Sequence, residues 1–358
     1  MTPAGRFRRV RASREQAGIY ENDTGGQLDE EGRLALKGFD PKWRDFPDYI
    51  LGVTKEIWED RGVHTLNRSY APDIIVRSPS SIVRGNKGVI GATLATLAEF
   101  PDRQLFGEDV IWSGSAEAGD LLSSHRLLST ATHSRPGVYG APTGKTLRYR
   151  IIADCAARND QIYDEWLVRD QGAIVRQLGV EPKAFAADLI QREGGRDACV
   201  KPFTPKTDIA GDYKGHGNDH PAGKRYADTL TRIMAAELSA IPATYDRACQ
   251  LEHPGGVTGH GWSAADQFWA GLRAAFPNAA FTIDHQIGRD DPGLSPRAAL
   301  RWSLAGKHEG FGAFGTPTGA DIYLLGISHA EFGPWGLRRE YVLFDETAIW
   351  KQILLKTG

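Results

Sequence analysis

Apolar residues at Ile50, Val53, Ile57 and Trp58 recur at the spacing of one helix face. An amphipathic helix is therefore predicted over Asp48–Asp60, with Pro47 suited to its first turn and Gly62 to its end. A second helical stretch follows at Val63–Tyr70, stopping before Pro72, and a third spans Asn86–Glu99, halted by Pro101. Between them Asp73–Val76 reads as extended. The pattern then turns to long strands at Gln104–Trp112, Asp120–Thr132, Lys145–Ala156 and Gln161–Arg169, with a short one at Ala173–Gln177. Helices first and strands afterwards indicate an α+β fold rather than alternating α/β.

The same order returns. Tyr139-Gly140-Ala141-Pro142-Thr143-Gly144 recurs as Phe314-Gly315-Thr316-Pro317-Thr318-Gly319, an offset of 175. That offset also carries Arg126 onto Arg301, His133 onto His308, Glu165 onto Glu340, Asp170 onto Asp345 and Gln177 onto Gln352. Upstream, Phe100-Pro101 meets Phe276-Pro277 at an offset of 176. Second-copy strands are expected near Phe281–Arg289, Ala298–Lys307, Ile322–Ala330 and Leu337–Phe344. The reading is an extension over 1–45, a first domain over 46–180, a linker over 181–222 and a second domain over 223–358. The linker is rich in Gly, Pro, Lys and Asp, with one short helix expected at Ala184–Gln191. His216, Asp219 and His220 within it are weighed as metal ligands and set aside for a solvated linker, since no further His or Cys cluster completes a site.

The length of 358 residues agrees with about two domains. Lys plus Arg number 43 against 45 Asp plus Glu, a net charge of −2, which argues against a nucleic-acid or anionic-membrane partner. No apolar run approaches the roughly 18 residues of a membrane span. The arginines of the first fourteen residues are followed by no signal-like apolar stretch. Cys155, Cys199 and Cys249 are widely spaced, so a reducing cytoplasm is expected. GAPTGKT at Gly140–Thr146 imitates a phosphate loop, but Tyr139 stands where the first glycine belongs, and the segment reads as a strand connection.

Several motifs in order give a resemblance. Phe100-Pro101-Asp102, Gly119-Asp120, Arg126, Thr132-His133, Pro142-Thr143-Gly144, Asp164-Glu165-Trp166, Asp170 and Gln177-Leu178-Gly179 resemble the SnoaL-like polyketide cyclase family of the NTF2-like superfamily. In the second copy His308-Glu309-Gly310, Phe314-Gly315 and Pro317-Thr318-Gly319 are similar to the same pattern. The resemblance implies two tandem cone-shaped α+β barrels, each a curved antiparallel sheet with about three helices around a pocket. It also implies cofactor-free, metal-free general acid/base chemistry on a small organic substrate: cyclisation, isomerisation, or addition and elimination of water at a carbonyl compound. A non-enzymatic binding or protein-interaction module and an epoxide-type hydrolase are the alternatives.

The family's catalytic Asp follows the Pro-Thr-Gly turn. Asp321 stands near that place in the second copy, while the first has Lys145-Thr146-Leu147. Candidate acid/base groups are thus His308, Asp321, His133, Asp170 and Asp345, with a slight lean to the second copy. Against this, the histidines are equally suited to fix a turn, and the aspartates to bond turn backbone. Arg126, Arg301, Trp166, Tyr341, Glu165 and Glu340 are candidates for holding substrate; for the arginines the alternative is a structural ion pair, and for the aromatic rings simple core filling. Strand alternation sets Trp166 and Asp170 on one face and Glu165 on the other. His64, Asn67, His125 and His285 are further polar candidates. The two copies are expected to pack sheet against sheet as an intramolecular pair, with further self-association open.

Overall fold

The computed structural model describes residues 36–115 and 121–358. The first half begins with α1 (Phe46–Trp58), capped by the Asp45 side chain on the Asp48 amide. A 3-10 turn and the short α2 (Leu66–Ser69) lead into β1 (Tyr70–Ser78), β2 (Ser81–Arg84) and α3 (Gly85–Glu99). Four elements complete the sheet: β3 (Gln104–Ser113), β4 (Leu121–Thr132), β5 (Thr146–Arg158) and β6 (Gln161–Arg169). Then come α4 (Gln171–Leu178) and α5 (Pro182–Arg192). The second half runs through α6 (Pro221–Met234), α7 (Ala240–Thr244), β7 (Tyr245–His253), β8 (Val257–His260), α8 (Gly261–Ala275), β9 (Ala280–Arg289), β10 (Arg297–Lys307), β11 (Asp321–Gly333), β12 (Gly336–Phe344) and α9 (Glu346–Thr357).

Two six-stranded sheets result, ordered β2-β1-β6-β5-β4-β3 and β8-β7-β12-β11-β10-β9. The element types and pairings of one repeat in the other, giving a mixed α+β molecule. The sheets are not wholly antiparallel as expected: β1 pairs parallel with β6, and β7 with β12. The parallel pairing follows from topology, because the helix and long hairpins between β1 and β6 return the chain to β1's edge in its own direction. The short strand expected at Ala173–Gln177 is instead α4. Asp170 accepts the Ala173 amide at its start, and Gly179 adopts φ 90° at its end, so two caps outweigh the β-branched Ile174 and Val175.

Residues 181–222, expected as a solvated linker, are partly buried against both halves. Phe185, Ile190, Phe203 and Tyr213 are buried, and Arg77 joins Asp164 and Asp208. His220 caps α6 on the Ala222 amide and faces Asp290 at 3.4 Å. Residues 1–35 of the expected extension, and Gly119-Asp120, lie outside the described residues. Within 36–45, Phe39 packs edge-on to Phe46 and Tyr49. No helix among the described residues is long and apolar enough to cross a membrane.

The two sheets meet through their outer faces. Ile152 and Val168 pack on Leu325, Ile327 and Leu343. Arg126 stacks over Tyr341 at 3.5 Å, and Arg301 over Trp166 at 3.7 Å. Arg126 also donates to His329 Nδ1 (3.1 Å), and Arg301 to Asp154 (2.8 Å).

Candidate functional site

Strand register sorts the inward side chains of the first sheet into rows. Ser123, Cys155 and Glu165 stand opposite one another, with Val76 beside Glu165. The next inward row is His125, Ala153 and Leu167; the next is Leu127, Ile151 and Arg169; Ser129 and Tyr149 follow. Helices α1 and α3 close over these rows with Val53, Ile57, Trp58, Val89 and Ala92. They enclose a cavity of about 280 Å³ with mostly apolar walls.

Its ionisable groups fall at two ends. Glu165 is buried, and that burial pushes its carboxyl up to about 7, the Tyr70 hydroxyl beside it offsetting part of the rise. His125 is brought down to about 4 by burial and is therefore neutral; its Nδ1 lies 3.2 Å from Ser123 Oγ. One strand, β5, lies between His125 and Glu165, so they stand two strand spacings, about 10 Å, apart across the sheet, room for a small molecule between them. At the other end stand Arg103 and Arg169, with Asp345 of the second half also lining the cavity. Burial lowers Arg103 to about 10.

The second half fills the equivalent space. Trp302, Gly326 and Phe344 occupy the row that Leu127, Ile151 and Arg169 form in the first. Trp302 is fully buried and donates to Ser328 Oγ at 2.7 Å. Trp269 packs against it, ring centroids 6.2 Å apart, and donates to Tyr245 Oη. Glu340 corresponds to Glu165 and is likewise raised to about 7 by burial, but Tyr226 and Tyr245 hold its Oε1 at 2.9 and 2.7 Å.

The residues singled out from the sequence are therefore dispersed. Glu165 lines the cavity, as does Asp345, though both Asp345 and Asp170 are also helix caps. Asp170 additionally accepts the Gly255 and Gly256 amides of the other half. Asp321 does not meet the demands of a buried base: at the first residue of β11 it is 89% exposed, with Lys307 at 3.9 Å. His133 and His308 are buried at their turns, Nδ1 to Thr143 and Thr318 Oγ1 at 3.2 and 3.1 Å, with Glu99 3.3 Å from His133 Nε2. Arg126, Arg301, Trp166 and Tyr341 face the contact between the sheets, not the cavity. Of the second-half candidates, Asp321 is exposed and His308 is held at its turn. His125, a minor candidate, lines the cavity, and Arg103, Arg169 and Tyr70 were not among the candidates. For Arg169 a signal existed: it shares strand parity with Glu165.

Solved structures of similar proteins each match a little over a third of the chain. IdmH from Streptomyces antibioticus is 24% identical, the match covering 37% of this chain and 98% of that one, with a TM-score of 0.33. A SnoaL-like polyketide cyclase from Agrobacterium tumefaciens is 18% identical over 37% of this chain and 98% of its own, TM-score 0.30. TsrD from Streptomyces laurentii is 15% identical over 38% and 98%, TM-score 0.32. No curated protein matches the sequence at a comparable level. The model of the SnoaL-like polyketide cyclase family matches residues 49–178, and this stretch is one SnoaL-like polyketide cyclase domain.

Proposed function

We propose that the protein is a cofactor-independent acid/base enzyme acting on a small carbonyl compound in the first-half cavity. Cyclisation, isomerisation and hydration or dehydration share the step it would catalyse, movement of a proton next to a carbonyl. We further propose that the chain is two tandem NTF2-like cone-shaped barrels packed as an intramolecular pair, the first working and the second a filled partner. The observation that carries the reading is Glu165: a carboxyl held near 7 by burial in an apolar-walled cavity. Such a group takes and returns protons near neutral pH. In this scheme Glu165 abstracts the proton α to the carbonyl, and neutral His125 donates to the developing enolate oxygen. The walls from α1 and α3 exclude water.

The test is deuterium exchange. Wild-type protein in deuterated buffer is expected to label the α position of bound aryl methyl ketones, read by mass spectrometry. Glu165→Gln is expected to slow labelling by about 10²-fold or more while the fold persists. Equal labelling by the variant sinks the reading. Ketone-induced thermal stabilisation with no labelling assigns a binding module instead.

A further inference from the structure

The cation end of the cavity is not used by the chemistry above. Arg103 is 2% exposed, donates from Nε to Ser129 Oγ at 3.2 Å, and lies over the Trp58 ring at 4.1 Å. Its Nη1, and the Nε of Arg169, are buried with no hydrogen-bond acceptor among the described residues. No carboxylate among the described residues lies within 4 Å of either guanidinium, although buried arginines ordinarily have one. The acidic groups nearby are engaged elsewhere. Asp345 accepts from Thr347 and Ala348, and Glu99 from the Val138 and Tyr139 amides. Both arginines line the apolar-walled cavity with a buried donor lacking an acceptor, and their charge is met only by tyrosine hydroxyls and by the more distant field of Asp345. Tyr149 senses that field: burial would raise its phenol, yet Arg103 and Arg169 hold it below its ordinary value.

We propose that the substrate carries a carboxylate, bound by Arg103 and Arg169 at the end of the cavity away from Glu165. The inference rests on the first-half cavity being the working site. Glu165 and Arg169 stand four residues apart on one face of β6, about 13 Å along the strand. A planar acid anchored at the arginines thus presents carbon some distance from its carboxylate to Glu165. Separation of like charges follows as well: the substrate anion is kept from the base, which spares Glu165 a second rise in its proton affinity.

The experiment compares 2-naphthoate with the neutral 2-naphthamide by calorimetric titration of the full chain at neutral pH. Naphthoate is expected to bind about tenfold or more tightly than the amide. Arg103→Gln and Arg169→Gln are each expected to erase most of that preference. Equal affinity of the two probes for the wild type, or no saturable naphthoate binding, overturns the proposal without any variant having to fold. An unchanged preference in both folded arginine variants overturns it equally. Because the probe comparison leaves Glu165 untouched, its failure and the failure of deuterium exchange are separate results.

Discussion

Glu165 and Glu340 are one residue in two settings, and the difference shows what makes a carboxyl available. Both are buried and raised to about 7 by that burial. Glu340 is locked by two tyrosine hydroxyls among tryptophan rings, whereas Glu165 borders open volume. A carboxyl bound more tightly to its proton in the folded state than in the unfolded chain stabilises the fold fully only below the unfolded value, about 4.5. That contribution is lost as pH rises through about 7. Each such group therefore weakens the fold by about 3 kcal/mol above that window. Glu340→Gln, which keeps an oxygen for Tyr226 and Tyr245, is expected to flatten the fall in stability between pH 4.5 and 7 and to raise the urea midpoint at pH 8. A variant whose midpoint follows the wild type across that range would show that Glu340 is ionised throughout.

At the scale of elements, one glycine makes room for the ring that fills the second half. Gly326 on β11 faces Trp302 on β10, and a Cβ there would lie 2.4 Å from the indole ring. The first half has Ile151 and Leu127 at these places, so the large side chain has moved one strand across. Gly326→Ala is expected to cost about 1–3 kcal/mol by overpacking, read as a lowered urea midpoint. Adding Trp302→Leu to it should relieve the clash, leaving the two changes far from additive; simple addition of their costs would mean that the ring and the glycine are not coupled. Most elements were legible in the sequence, because α1 carries a clean helical periodicity, α3 is stopped before Pro101 and the long strands are continuous apolar runs. Helix α4 was not, since its Ala-Ile-Val run is short and β-branched, although Asp170 and Gly179 marked both ends. The site was legible only in part. Both faces of β4, β5 and β6 are buried, one on the cavity and one on the other sheet, so alternation set Trp166 and Glu165 on opposite faces but could not say which face meets the cavity. Gly326 and Trp302 are distant from each other until the strands pair, and no local pattern could show that the second cavity is closed.

The contact between the sheets places the most demanding constraint on the whole molecule. Arg126 meets Tyr341 and His329, and Arg301 meets Trp166 and Asp154. These are equivalent positions exchanged between the halves, the arrangement of a two-fold interface within one chain. It is not symmetric in charge. His329 accepts from Arg126 at Nδ1 and lies 2.9 Å from Ser124 Oγ at Nε2, so it is neutral with the proton on Nε2; burial, then Arg126, holds its proton affinity well below the ordinary value. Asp154 is the charged counterpart, burial raising its carboxyl against the pull of Arg301. Removing one partner of a buried ion pair strands the other, at about 3–5 kcal/mol. Asp154→Leu is therefore expected to lower the urea midpoint steeply. Arg301→Met in the same chain should restore most of the loss, since no charge is then left buried and methionine still covers Trp166. Tryptophan fluorescence follows both halves at once, because Trp112 and Trp166 lie in one and Trp269 and Trp302 in the other. If the contact couples the halves, the wild type and the double variant unfold in one transition and Asp154→Leu alone splits it or shifts it far down. Equal and additive losses from the two substitutions would mean that Arg301 is held by Trp166 rather than by Asp154, and that the charge between the sheets does not bind the halves together.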